Sequence, residues 1–146
     1  MRGFETAEFE GRVSRAQAAM RSVRLDAMFF TTEPEIRYFT GYLTRFWESP
    51  SRPWFLLLPQ SGKPVAVIPS IGAALMSKTW ITDIRTWSSP DREDDGLSLL
   101  ASAIKDRVSK SGRIAVPSGH ETHLRMPLSD FERLKAALPL YEFTSD

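Results

Sequence analysis

The chain alternates between apolar runs and stretches whose apolar positions recur at helical spacing. Phe9, Val13, Ala16, Met20 and Val23 fall at steps of four and three, which predicts an amphipathic helix over residues 6–23. Arg12, Arg15, Arg21 and Glu10 fall mostly off that face. Residues 25–31 are almost continuously apolar, as a strand buried on both faces would be. Pro34 and Glu35 suit the first turn of a short helix carrying Ile36, Tyr38 and Phe39, and Gly41 suits its end. From residue 42 to 53 no period holds, which predicts a loop. Residues 54–58 and 64–68 are two apolar strands joined by Gln60-Ser61-Gly62-Lys63, a hairpin. Ser70 is placed to cap a helix running to about residue 78, with Leu75 and Met76 inward. A strand follows over 84–87. Leu97, Leu100, Ala101, Ile104 and Val108 then mark a helix, and Ser111-Gly112 ends it. A strand over 113–116, a helix over 129–138 and a strand over 140–143 complete the series. About six strands interleaved with four or five helices predict an α/β domain. Its sheet is mixed, because a hairpin joins two of the strands, and helices cover both faces.

Length and composition narrow this picture. The 146 residues suit one domain, 1–146, large enough to bury a core without staples. Nineteen basic residues against eighteen acidic ones leave a net charge of +1, which gives no bulk attraction to nucleic acid or a membrane surface. With no cysteine, disulfides, thiolate-bound zinc and thiol catalysis are excluded. The longest apolar run, 54–59, is far short of a membrane span, and the N-terminus lacks the apolar core of a secretory signal. A cytoplasmic location is expected.

Catalytic motifs are sparse. His120 and His123 stand three apart behind Pro117, Ser118 and Gly119, which predicts a loop rather than the helical zinc-protease motif with its four-residue step. No third ligand is identifiable. Asp91, Glu93, Asp94 and Asp95 lie before a predicted helix. There acids favour the positive end of the helix, and their spacing is not that of a calcium loop. No Gly-x-Ser-x-Gly turn, phosphate-binding loop or Gly-x-Gly-x-x-Gly run occurs. The informative segment is the loop at 45–54. Arg45, Phe46, Trp47, Arg52 and Trp54 concentrate the residue types that dominate binding hot spots. Trp54, at a strand start, is expected to pack on the sheet. Arg45, Phe46, Trp47 and Arg52 are the candidates for contact with a ligand or partner.

An ordered set of residues from Phe9 to Tyr141 resembles the N-terminal domain of the creatinase/prolidase/aminopeptidase P family. Phe9 with Arg12 and Arg21 opens the first helix in the family's manner, and Leu25-Asp26-Ala27 leads into the first strand. The most distinctive stretch is Pro34-Glu35-Ile36-Arg37-Tyr38-Phe39-Thr40-Gly41-Tyr42. It is similar to a family signature in which asparagine stands where Glu35 stands here. Arg52-Pro53 before an apolar strand, a Ser-Gly turn and a second strand add to the match.

The resemblance implies a mixed six-stranded sheet of the ribonuclease-H-like layer. It also implies a second, larger domain, absent from this chain, that holds a dinuclear site for manganese, cobalt or zinc. This chain itself is then expected to carry no catalytic residue and no metal, and to be a fragment or an isolated domain of an Xaa-Pro dipeptidase-like enzyme. In such enzymes the N-terminal domain serves assembly of a homo-oligomer, and a loop after the signature helix covers a neighbouring subunit's active site. Carried over, that loop is 45–52. Phe46 and Trp47 would wall a substrate pocket, and Arg45 or Arg52 would anchor a carboxylate through the planar guanidinium fork. Other readings are a self-standing ligand- or protein-binding module of the same fold and a small enzyme using His120 or His123. Nucleic-acid binding ranks last, since no basic, aromatic-studded face is evident.

Overall fold

The computed structural model describes residues 3–49 and 52–145. Met1, Arg2, Asp146 and, within the loop singled out above, Pro50 and Ser51 lie outside the described residues. The apolar runs become β1 (Ala27–Phe30), β2 (Phe55–Pro59), β3 (Val65–Pro69), β4 (Asp83–Trp87), β5 (Arg113–Ala115) and β6 (Glu142–Thr144). The helical patterns become α1 (Thr6–Ser22), α2 (Glu33–Thr40), α3 (Ala73–Met76), α4 (Leu97–Arg107) and α5 (Leu128–Ala137). One mixed sheet forms in the order β4-β3-β2-β1-β5-β6. The hairpin is antiparallel, as is β1 against β2, whereas β3–β4, β1–β5 and β5–β6 run parallel.

The two-residue alternation of each strand divides the core into two layers. Phe29 lies opposite Leu57, and both face the α4/α5 side with Val65, Val67, Leu100, Ile104 and Leu134. Phe30 lies opposite Leu56, and both face the other side with Leu58, Ile68, Val13, Met20, Ile36 and Phe39. β2 and β3 are buried at every position, which is why they read as unbroken apolar runs.

Four expectations are corrected. Arg12 does not lie off the buried face: it is 9% exposed, its guanidinium lies against the rings of Phe4, Phe9 and Tyr38, and it donates to the Tyr38 carbonyl at 2.8 Å. Aromatic faces, that carbonyl and the Glu8 carboxylate, which accepts from the Arg12 Nε–H at 2.9 Å, satisfy a cation that hydropathy alone assigns to water. Val23, by contrast, is exposed, because the helix ends before it at the turn leading to β1. Ser70 caps nothing with its side chain. The chain passes through a 3-10 turn (Ser70–Gly72) into α3, which is only one turn long. The segment 42–53 is not all irregular, since a 3-10 turn forms over Arg45–Glu48.

Candidate functional site

The signature stretch builds the approach to the site. Pro34 stands in the first turn of α2, where its missing N–H costs nothing. Gly41 takes the left-handed conformation (φ 74°) and donates to the Arg37 carbonyl at 2.8 Å, which closes the helix. Thr40 donates its hydroxyl to the Ile36 carbonyl at 2.6 Å and accepts the Tyr42 N–H at 2.9 Å, turning the chain out of α2. Thr44 then caps the 3-10 turn, its hydroxyl accepting from the Phe46 N–H at 3.3 Å.

This turn sits on an aromatic base. Trp54 is fully buried, and three rings gather on it: Tyr42 and Trp47, each 5.7 Å away between centroids, and Phe46 stacked at 6.2 Å and 18°. Burial pushes the Tyr42 phenol up to about 12, with the Thr44 hydroxyl opposing it in part. Trp54 thus packs as the sequence suggests, but as the seat of the loop rather than as a sheet-edge residue.

The far end of the loop is held from elsewhere. Arg125, in the connection between β5 and α5, lies over the Trp47 ring at 5.4 Å. One terminal nitrogen of its guanidinium donates to the Arg52 carbonyl at 2.6 Å, and the other donates to the Ser49 carbonyl. Its own backbone N–H donates to the Thr31 hydroxyl, just past β1, at 2.8 Å. Burial holds the Arg125 guanidinium below its ordinary value, and no carboxylate among the described residues pairs with it.

The predicted site residues therefore separate. Phe46 and Trp47 share the Trp54 seat, and Trp47 and Arg52 share Arg125. The Arg45 side chain is 92% exposed and meets only the Glu48 carboxylate at 3.3 Å, an exposed pair of little strength. Outside the aromatic seat is a hollow of about 500 Å³ that includes Leu43, Arg45, Trp47 and Glu48 in its lining. His120 and His123 are exposed on the loop after β5. The acids at 91–95 serve the chain itself. Asp91 accepts the N–H groups of Glu93 and Asp94, Asp95 accepts that of Asp91, and Asp94 accepts from Ser98 at the start of α4. Among the described residues no three histidine, aspartate or glutamate side chains come together as a metal site would require. No described helix is long and apolar enough to cross a membrane.

Sequence reasoning missed Arg125. Its partners lie 73 and 76 residues away, so no local pattern joins them. The available signal was an arginine set between Leu124 and Met126, an apolar setting in an otherwise polar loop.

Fold and site together define an α/β domain that presents an aromatic, arginine-held flap beside a mixed sheet. Residues 12–145 match the model of the Creatinase/Prolidase N-terminal domain, and the chain belongs to that family. Among solved structures it is similar to the recombinant prolidase from Thermococcus sibiricus (TM-score 0.75, 17% identity), over 97% of this chain and 35% of that one. It is also similar to the dipeptidase PepE from Mycobacterium ulcerans (TM-score 0.69, 26% identity), over 98% of this chain and 36% of that one. A third likeness is to the Creatinase/Prolidase N-terminal domain of an X-Pro dipeptidase from Streptococcus pyogenes (TM-score 0.70, 15% identity), over 92% of each chain. The chain thus spans about a third of the length of the first two enzymes and nearly all of the excised domain. A search of curated proteins returned no match.

Proposed function

We propose that this chain is the non-catalytic N-terminal domain of an Xaa-Pro dipeptidase- or aminopeptidase P-like metallohydrolase, and that it serves subunit assembly and covers a neighbouring subunit's active site with the 45–52 flap. The observation that carries this reading is the built flap: a turn seated on Trp54 at one end and held by Arg125 at the other, with the Arg45 side chain left to solvent. The preformed turn over Arg45–Glu48 contributes contact area without the entropy cost of ordering on binding. Phe46 and Trp47 supply apolar wall. Arg45 and Arg52 are the two candidates for the carboxylate anchor, since the pairing of Arg45 with Glu48 is weak and the Arg52 side chain forms no ion pair among the described residues.

The dinuclear manganese, cobalt or zinc site that such enzymes use does not fit the described residues, which bring no sufficient donor set together. It belongs to the second domain of the proposed parent protein, and no step of the chemistry is assigned to this chain. A homo-oligomeric assembly and a cytoplasmic location belong to the same proposal.

Steady-state kinetics of the full-length enzyme test it. Trp47→Ala is expected to lower kcat/KM by about tenfold or more, the scale set by losing a buried aromatic contact. Arg45→Ala and Arg52→Ala identify the anchor: the one that raises KM for substrates with a free carboxylate, and not for their amides, is the anchor. Unchanged kinetics in all three variants would refute the covering role.

A further inference from the structure

We propose that the groove between the start of α1, the end of α2 and the turn after α3 is a docking site for an acidic segment of another protein, one that carries large apolar side chains beside its carboxylates. The groove has two halves. One is a hollow of about 300 Å³ walled by Phe9, Leu75 and Trp80. The other, about 410 Å³, is walled by Phe9, Pro34 and Tyr38. Phe4, Gly41 and Leu43 line both, so the halves are continuous. Each half is near the small end of the range for ligand pockets, and neither is enclosed. That shape suits the side chains of a segment laid across Phe4 better than one sequestered small molecule.

Apolar surface left in water is the first observation. Phe4 is 55% exposed, Tyr38 47% and Leu43 41%, and all three line this groove. Large apolar side chains exposed together mark an interaction surface. The patch is also held in place. The Arg12 guanidinium lies against the Phe4 ring at 4.4 Å, and Phe4 meets Phe9 edge-on at 6.2 Å between centroids. The Trp80 indole N–H donates to the Phe39 carbonyl at 2.8 Å, which fixes the far wall. Walls already ordered cost little more to order on binding.

Charge identifies the occupant. Lys78 lies in one half and Arg37 in the other; both are exposed, and neither forms an ion pair among the described residues. Arg12 is already matched by Glu8. No acidic residue lines either half. The groove therefore sets one unmatched cation in each half around a shared apolar centre. Its complement is a segment whose carboxylates accompany apolar side chains. A second copy of this chain does not supply that complement, because a two-fold contact sets the same cations against themselves. The lining of the groove excludes the 45–52 flap, so the assignment does not rest on the covering role.

A random peptide library displayed on phage and selected against this chain tests it. The expected result is enrichment of peptides that combine several Asp or Glu residues with at least two large apolar ones. The most enriched peptide is then titrated into nitrogen-15-labelled protein, with the Trp80 indole and Leu43 amide resonances as readouts. Saturable movement of both is expected. Leu43→Glu, at an exposed position, should weaken binding by about tenfold or more, the loss of an apolar anchor. Arg37→Glu and Lys78→Glu should each weaken it by about two- to fivefold, and by less in high salt. Lys110→Glu makes the same change of charge in the exposed turn between α4 and β5 and should leave binding unchanged. Several results would overturn the assignment: no enrichment of acidic, apolar peptides, no movement of the Trp80 signal, or equal losses in Lys78→Glu and Lys110→Glu. Self-association of the free chain that Leu43→Glu abolishes would give the groove to a second copy instead. Attachment to phosphatidylserine vesicles that Leu43→Glu abolishes would give it to a membrane.

Discussion

Gly72 shows how little freedom the flap's seat has. A Cβ built there would lie 2.4 and 2.7 Å from Trp54 ring carbons and 2.8 Å from the Tyr42 hydroxyl. Neither ring is at the loose end of a flexible chain, and both are fully buried, so the contact cannot be relieved by a rotamer change. Gly72→Ala is therefore expected to destabilise the fold by about 1–3 kcal/mol, the usual range for overpacking, and to change tryptophan emission. Urea unfolding followed by fluorescence measures both, and a neutral result would mean that Trp54 is not held as described. The residue scale is also where the sequence was least legible. Phe46, Trp47 and Arg52 stood out by type, yet their holders, Gly72 and Arg125, are distant in the chain and ordinary in composition. Arg12 was misread for a related reason. Periodicity assigns a residue to a face by its class, and a cation covered by three rings and paired with Glu8 and the Tyr38 carbonyl breaks the class.

At the scale of elements the sequence was far more open, because period and punctuation act locally. α2 begins with a proline in its first turn and ends at Gly41, and α4 is outlined by Leu97, Leu100, Ala101 and Ile104, all buried. The Ser70 cap failed because α3 is a single turn preceded by a 3-10 turn, and a side-chain preference does not decide so short a piece. Edge strand β4 was recognised as a strand, but its hold on the sheet rests on charges that no period reveals. Asp83 accepts from Arg85 at 3.2 Å and from Arg107 at 2.5 Å, and Arg85 also donates to Asp106 at 2.6 Å. These bonds tie β4 to the end of α4, and charges along an edge strand also discourage edge-to-edge pairing. Burial works to raise Asp83, but the hydrogen bonds from Arg85 and Arg107 outweigh it and leave the carboxyl below its usual 3.8. A carboxyl lowered in the folded state stabilises the fold above its unfolded value, and that contribution is lost as pH falls through the folded value. Asp83→Asn is expected to cost about 1–2 kcal/mol at neutral pH and to flatten the loss of stability on acidification. Thermal unfolding across the acid range compares the two proteins. Parallel pH curves would show that Asp83 is not the group responsible.

At the scale of the whole molecule, one sheet joins two core layers, and the flap belongs to only one of them. Tyr42 and Trp54 pack in the layer with α1, α2 and α3, whereas α4 and α5 cover the opposite face. The sequence announced this arrangement, since only a sheet covered on both faces makes β2 apolar at every position. It did not announce the strand order, because pairing β1 with β5 across more than eighty residues leaves no local trace. Leu57 and Leu58 are neighbours in β2, both fully buried, and they face opposite layers. Each truncation, Leu57→Ala or Leu58→Ala, is expected to cost about 2–5 kcal/mol. Because β2 is central and shared, both should shift one cooperative transition rather than loosen one face. Far-ultraviolet dichroism reports the helices of both layers, and tryptophan fluorescence, read in a Trp87→Phe background that removes the one indole packed on the α4/α5 side, reports the α1–α3 layer with the flap's seat. The expected outcome is that the two probes give coincident unfolding curves in each variant. Fluorescence changing before dichroism in Leu58→Ala alone would show that the α1–α3 layer and its flap open as a separate unit. The flap's preformed geometry would then depend on more than its own contacts with Trp54 and Arg125.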